Sequence, residues 1–177
     1  MLILKSQRAR WVIGLAAFLF GCSPALNWRE IRPADSGVLA LFPCKPDRFT
    51  RNLALGGEKL QMVLNSCAAE GATYALSYVE LADAAKVNAV LQAMHAAAAS
   101  NLGGLALKVS PLVVPGMAPH ALTQRWAVQG KMADSNVLQQ QFAVFARGSR
   151  VYQATVVGKT LDATAADTFF GGLQLTP

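Results

Sequence analysis

Residues 49–67 read FTRNLALGGEKLQMVLNSC. Phe49, Arg51, Leu53 and Leu55 alternate, Gly56-Gly57 turns the chain, and Leu60, Met62 and Leu64 alternate again as far as Cys67. Successive side chains of a strand point to opposite faces, so an apolar period of two predicts a pair of half-buried strands. A Gly-Gly link supplies the backbone freedom that a tight reversal between them needs. Working outward, Val38 to Phe42 reads as a strand stopped by Pro43-Cys44-Lys45-Pro46, and Tyr74, Leu76 and Tyr78 mark another. Four strands joined by short links predict an antiparallel meander.

The period then changes. Val87, Val90, Leu91, Met94 and Ala98 fall at helical spacing behind an N-cap at Asp83, and Gly103-Gly104 ends the helix. The alanines at 96–99 favour the helix and admit a close neighbour. Residues 105–119 carry Pro111, Pro115-Gly116 and Pro119 and read as an irregular connection, a place where binding residues collect. Leu122 to Val128 and Leu138 to Val144 alternate, Arg147-Gly148-Ser149-Arg150 forms a hairpin turn, and Val151 to Val157 is its partner strand. A closing helix capped by Asp162 places Ala166, Phe169, Phe170 and Leu173 on one face, with Gly171-Gly172 at its end. The expected class is α+β: an antiparallel sheet of six to seven strands flanked by one long helix and a C-terminal helix.

The N-terminus has a different grammar. Lys5, Arg8 and Arg10 precede the apolar run Trp11 to Phe20, and Gly21-Cys22-Ser23-Pro24 follows. A basic head, a short apolar core and a small residue before the break are the parts of a secretory signal. Leu19, Gly21 and Cys22 resemble the lipobox of bacterial lipoproteins, whereas Phe20 stands where that box commonly has a small residue. The resemblance implies a signal peptide over 1–21, diacylglycerylation of Cys22 and acylation, palmitate included, of the new amino terminus. Two or three acyl chains hold a protein on a membrane where one is marginal. Ser23 after the lipidated position implies the outer membrane rather than the inner one, with the protein facing the periplasm. A plain signal cut near Gly21 and an uncleaved anchor are the alternatives; the apolar run has about half the 20 residues that spanning requires. Residues 22–37 are then expected as a tether onto which Trp28 and Ile31 dock, and 38–177 as a single domain.

Loss of residues 1–21 removes three of the basic residues behind the formal net charge of +6. The remaining excess is too small, and too little interleaved with aromatics, to indicate nucleic acid. Lys45, Arg48 and Arg51 form the densest basic group, either facing anionic headgroups or forming a solvated strand edge. With Cys22 lipidated, Cys44 and Cys67 are left as an even pair in an oxidising compartment, which reads as a structural disulfide.

Phe42-Pro43-Cys44-Lys45-Pro46 resembles the FPxKP turn of small periplasmic domains of PsbP-like fold. Pro115-Gly116 before the later strands and the aromatic pair Phe169-Phe170 in a closing helix are similar too. The resemblance covers most of residues 37–175 and implies an α/β/α sandwich without cofactor, in accessory, assembly or protein-binding roles. It brings no catalytic residues. The chain itself offers none: His95 and His120 are far apart, carboxylates are scattered, and no GxSxG nucleophile motif is present. Asp162 and Asp167 read as cap and solvated residue, and Gln139-Gln140-Gln141 as a solvated sheet face or, alternatively, a ligand-facing row. No catalytic, cofactor-binding or metal residues are therefore expected. Two function classes remain. One is a lipid-anchored, non-catalytic binding or accessory module acting through an envelope protein partner; the other is a periplasmic carrier of a small apolar ligand or lipid. For the carrier, Tyr74, Tyr78 and Trp126 would suit a pocket, though they suit a packed core as well.

Overall fold

The computed structural model describes residues 26–131 and 137–176. Cys22, the expected signal and the first tether residues lie outside the described residues. The elements run β1 (Arg29–Ile31), β2 (Val38–Phe42), β3 (Asp47–Leu55), β4 (Glu58–Ala69), β5 (Ala72–Glu80), α1 (Val87–Ser100), β6 (Leu107–Pro111), β7 (Gln124–Lys131), β8 (Val137–Arg147), β9 (Arg150–Gly158), α2 (Ala163–Gly171) and β10 (Gln174–Leu175). Seven strands form one antiparallel sheet in the order β3-β4-β5-β9-β8-β7-β6, and β1-β2-β10 form a second, smaller sheet. The α+β class expected from the sequence is the one observed.

The main sheet is two meanders joined where β5 pairs with β9, from Ala72 opposite Gly158 to Glu80 opposite Arg150. Local chemistry sets the reversals. Gly56 (φ 57°) and Gly57 (φ 83°) both take the left-handed conformation that a tight hairpin between right-twisted strands requires. At the β8–β9 turn Gly148 alone does so, at φ 56°. Asp83 accepts a hydrogen bond from the Ala85 amide at 2.9 Å and starts a single 3₁₀ turn that runs into α1.

The two faces of the main sheet are covered differently. On one lies α1: Val90, Leu91 and Met94 pack on Val79, Val144 and Val151, and Ala98 with Leu102 pack on Val128 and Phe142. On the other lie α2 and the small sheet, closing a core of Phe42, Tyr74, Leu76, Phe145, Tyr152 and Phe169. Burial therefore follows the period of two with both phases apolar in β8, where Phe142 to Ala146 are all buried. Such a strand is covered on both sides. Where α1 leaves the sheet, a Cβ on Gly104 would collide with the Gln129 carbonyl and one on Gly130 with the Leu102 carbonyl. Glycine is needed there for space, because backbone meets backbone.

Three sequence expectations change. First, β2 is not part of the meander. Pro43 and Pro46 have no N–H to give a ladder, so the chain breaks and β2 crosses to the α2 face as the centre of the small sheet. The Cys44–Cys67 disulfide is present, with Cα atoms 6.0 Å apart, and ties that break to the end of β4. Second, residues 105–119 are not wholly irregular: Leu107 to Pro111 form β6, an edge strand with a bulge between Lys108 and Ser110. Third, residues 26–37 of the expected tether fold into the domain. Arg29 to Ile31 pair with Ala40 to Phe42, Trp28 sits edge-on to Tyr74, and both Trp28 and Ile31 pack on the core. Tyr78 donates its hydroxyl to the Ala34 carbonyl at 2.9 Å and Tyr152 to that of Ser36 at 2.8 Å, so the 33–36 loop is held from beneath.

Candidate functional site

A groove of about 430 Å³ opens between α1 and the outer strands β3 and β4. Its walls follow from two periods meeting. Leu53, Leu55, Met62 and Leu64 share one face of the β3–β4 hairpin, and Met94, Ala97, Ala98 and Asn101 are on the side of α1 that faces them. The hairpin tip closes one end: a Cβ on Gly56 would lie 3.0 Å from the backbone of Ala89 and Val90. Phe49 stands at the other end, 56% exposed, with Arg51 nearby. Ser77, Gln153, Thr50, Arg51 and Asn101 put polar groups into a lining that is mostly apolar, and the Gln153 amide donates to Thr155 Oγ1 at 3.0 Å.

Beside this groove, β3 is an edge of the main sheet, as is β6. Among the described residues no strand pairs with the outer side of either. The backbone of β3 therefore offers donors and acceptors to an added strand, and alternate side chains of that strand would fall towards the groove.

A second groove, about 470 Å³, lies on the α2 face between the start of β6 and the approach to α2, lined by Leu105, Leu107, Leu161, Gln129, Gln139 and Gln141. All three glutamines of the run border this groove, but their side chains divide between the two faces of the sheet. Gln140 points to the α1 face, is buried, and donates to the Ala98 carbonyl at 3.0 Å, satisfying one acceptor in the last turn of that helix. Gln141 accepts from Arg125 Nε, and Arg125 also pairs with Asp167 and lies 4.8 Å from the centre of the Phe170 ring. Arg125 is 8% exposed, so this cluster joins β7 to α2 rather than forming an open site. Asp162 accepts from the Ala165 amide at 2.7 Å, the cap its position implied.

Among the other residues singled out, Tyr74 and Tyr78 are core residues and line neither groove. Arg48 donates to the Ala34 carbonyl at 3.1 Å and lies 3.9 Å from Asp35, whereas Arg51 falls on the opposite face of β3; all three of Lys45, Arg48 and Arg51 are exposed. Trp126 is half-buried and donates its indole N–H to the Leu122 carbonyl at 3.1 Å. Met94 is buried in the α1 core and also borders the first groove. Among the described residues no group of three or more His, Cys, Asp or Glu could hold a metal, and no helix is long and apolar enough to cross a membrane.

The histidines differ. His120 accepts from the Leu122 amide at Nδ1 and meets Asn88 Oδ1 through Nε2 at 2.8 Å, a pattern that suits the neutral ring protonated at Nε2. His95 packs 4.7 Å from the Trp126 ring and 5.5 Å from Phe142, with a buried Nε2 that has no hydrogen-bond partner among the described residues. Burial disfavours its charged form and pulls its pKa below the ordinary value of 6.5. The unfolded chain therefore binds a proton that the folded one resists. Stability should fall as pH drops below about 6.5 and through the depressed folded value. Chemical denaturation of the wild type and His95→Gln across that window should show a shallower decline in the variant; identical slopes would remove His95 as the cause.

The chain matches no protein-family model and no curated protein.

Proposed function

We propose that this chain is a lipid-anchored, non-catalytic binding module of the bacterial envelope, held at Cys22 and facing the periplasm from the outer membrane. It works by taking an extended segment of an envelope protein along β3. The observation that carries this reading is the conjunction of a nine-residue edge strand with an apolar groove directly beside it. Backbone pairing on β3 provides affinity, and pockets for every second side chain provide selectivity. The layered arrangement, α1 on one face and α2 with the small sheet on the other, together with the Phe42-Pro43-Cys44-Lys45-Pro46 turn, supports a PsbP-like reading of the fold. That fold suits an accessory role.

A carrier of a small apolar ligand is the second reading, favoured by the apolar walls of the first groove, whose volume lies within the range of about 300–1,000 Å³ typical of small-molecule sites. Against it, the interior between sheet and α2 is filled by aromatic rings, with Phe169 packed against both Phe42 and Tyr74.

A photo-crosslinking side chain placed at Phe49 in cells, with Gln61 on the opposite face of the hairpin as control, separates the readings. A discrete protein adduct from Phe49 and none from Gln61 is the expected result. An adduct with lipid alone would move the assignment to the carrier, and equal labelling at both positions would sink the groove as a site.

A further inference from the structure

Among the described residues six large apolar side chains are well exposed, and three of them lie along one rim of the main sheet; the others are Phe49, Val109 and Val113. Leu105 is 78% exposed, Leu107 60% and Val137 42%; Leu107 opens β6 opposite Ala127 and Val137 opens β8 opposite Lys131, with β7 between them. They belong to the rim of the main sheet that carries the starts of β6 and β8 and the end of β7, where Lys131 is opposite Val137. Lys159, exposed just after β9, is on the same rim, next to Leu161 of the second groove. Exposed apolar residues with lysines beside them are poorly explained by solvation alone and mark a surface that meets something, although the same rim also carries exposed Glu70 and Asp162.

The path of the chain says what it meets. Leu26 packs on the core, and the Asn27 amide donates to the Pro43 carbonyl at 2.9 Å. Pro43 adjoins Cys44, which is bonded to Cys67 near the end of β4. From there the rim continues: Ala69 is opposite Ala72, Ala72 opposite Gly158, and Gly158 opposite Gln139. The described chain thus begins on the rim that bears the apolar cluster. Four residue steps separate Leu26 from Cys22, which span at most about 14 Å when fully extended. An acyl anchor at Cys22 holds this rim close to the bilayer. Trp28 sits over Tyr74 of β5, and β6 is four strands away, roughly 19 Å at about 4.8 Å per strand. Anchor and cluster are therefore two separated points on one rim.

We propose that the rim bearing Leu105, Leu107 and Val137 lies on the surface of the anchoring membrane. The leucines enter the headgroup region, while Lys131 and Lys159 meet anionic headgroups. Two-point attachment fixes the orientation of the domain, with the opposite rim pointing away from the bilayer. The choice of the membrane as occupant rests on the anchor at Cys22 proposed above.

The test uses the full chain, purified from membranes and reconstituted into vesicles of phosphatidylethanolamine and phosphatidylglycerol with brominated acyl chains, which quench nearby tryptophan. Leu105→Trp is compared with Val113→Trp, a residue 77% exposed beyond the far end of β6, after subtraction of the native tryptophan signal. The expected result is that Trp emission introduced at 105 is largely lost and that introduced at 113 is retained. Equal quenching at both positions, or none at 105, overturns the proposal. The intact mass of the same preparation reports acylation at Cys22 independently. An acylated protein without quenching at 105 ends the membrane-face proposal and leaves the anchor standing. Quenching at 105 in an unacylated protein does the reverse.

Discussion

Phe169→Ala is expected to lower the free energy of unfolding by about 3–5 kcal/mol, the range for truncating a fully buried phenylalanine. Phe169 has no exposed surface, and its ring lies 5.3 Å from Phe42, 5.5 Å from Tyr74 and 5.5 Å from Phe170. The cost belongs at the upper part of the range because the walls of the resulting cavity cannot close together. Phe42 is on β2 in the middle of the small sheet, and Tyr74 is on β5, with strands on both sides in the main sheet. Neither backbone can move towards the gap without breaking a ladder. A nine-residue helix such as α2 is also too short to persist without its packed face. Its loss would release β10, which pairs with β2. Since domains of this size are stable by about 5–15 kcal/mol, the variant approaches the threshold of folding. Urea denaturation measures the change directly, with Phe49→Ala as the comparison. Phe49 is 56% exposed and its truncation should cost no more than about 0.5 kcal/mol. A loss below about 1 kcal/mol for Phe169→Ala would mean that α2 is not seated on the sheet as described.

Much of this fold is legible because the long strands carry an apolar residue at nearly every second position. The alternation at Phe49 to Leu64 marks a hairpin with one apolar face turned towards α1, whereas from Phe142 onward β8 is apolar in both phases because layers cover both of its faces. The elements that escaped are those too short for a period to be seen: β1 has three residues and β10 two. Strand β6 escaped for another reason. Leu105, Leu107 and Val109 do alternate, but the prolines at 111, 115 and 119 read as loop chemistry, and only the segment from Leu107 to Pro111 is strand. The departure of β2 from the meander was signalled by Pro43 and Pro46, although its destination depends on contacts with α2 that are distant in sequence. The candidate groove was not legible. Leu53, Met62, Leu64 and Met94 have the same pattern as core residues, and what makes them a groove is the distance left between α1 and the outer strands. The division of Gln139 to Gln141 between two faces was legible from alternation. The partner of Gln140 was not, because the Ala98 carbonyl is 42 residues away.

Removing the disulfide by Cys44→Ser with Cys67→Ser should cost roughly 3 kcal/mol, the chain-entropy value for a loop of this length. The two cysteines are 23 residues apart, and the closed loop contains β3, the β3–β4 turn and most of β4. Without the cross-link the unfolded chain gains freedom across the whole first hairpin, so the effect is on the unfolded ensemble first. A native-state consequence is expected as well. The 43–46 segment leads from the small sheet to the main one, and the Asn27 amide bonds to Pro43 beside Cys44. Loosening that segment loosens the entry of the chain and the packing of Trp28 on Tyr74. Two measurements check this together. Thermal unfolding of the wild type should shift downward on adding reductant, while the double variant should be indifferent to it. Tryptophan emission of the folded variant should move to the red as Trp28 becomes wetter. If reductant leaves the wild-type transition unchanged, the cross-link contributes nothing to stability. The case for an oxidising compartment would then rest on the N-terminal segment alone.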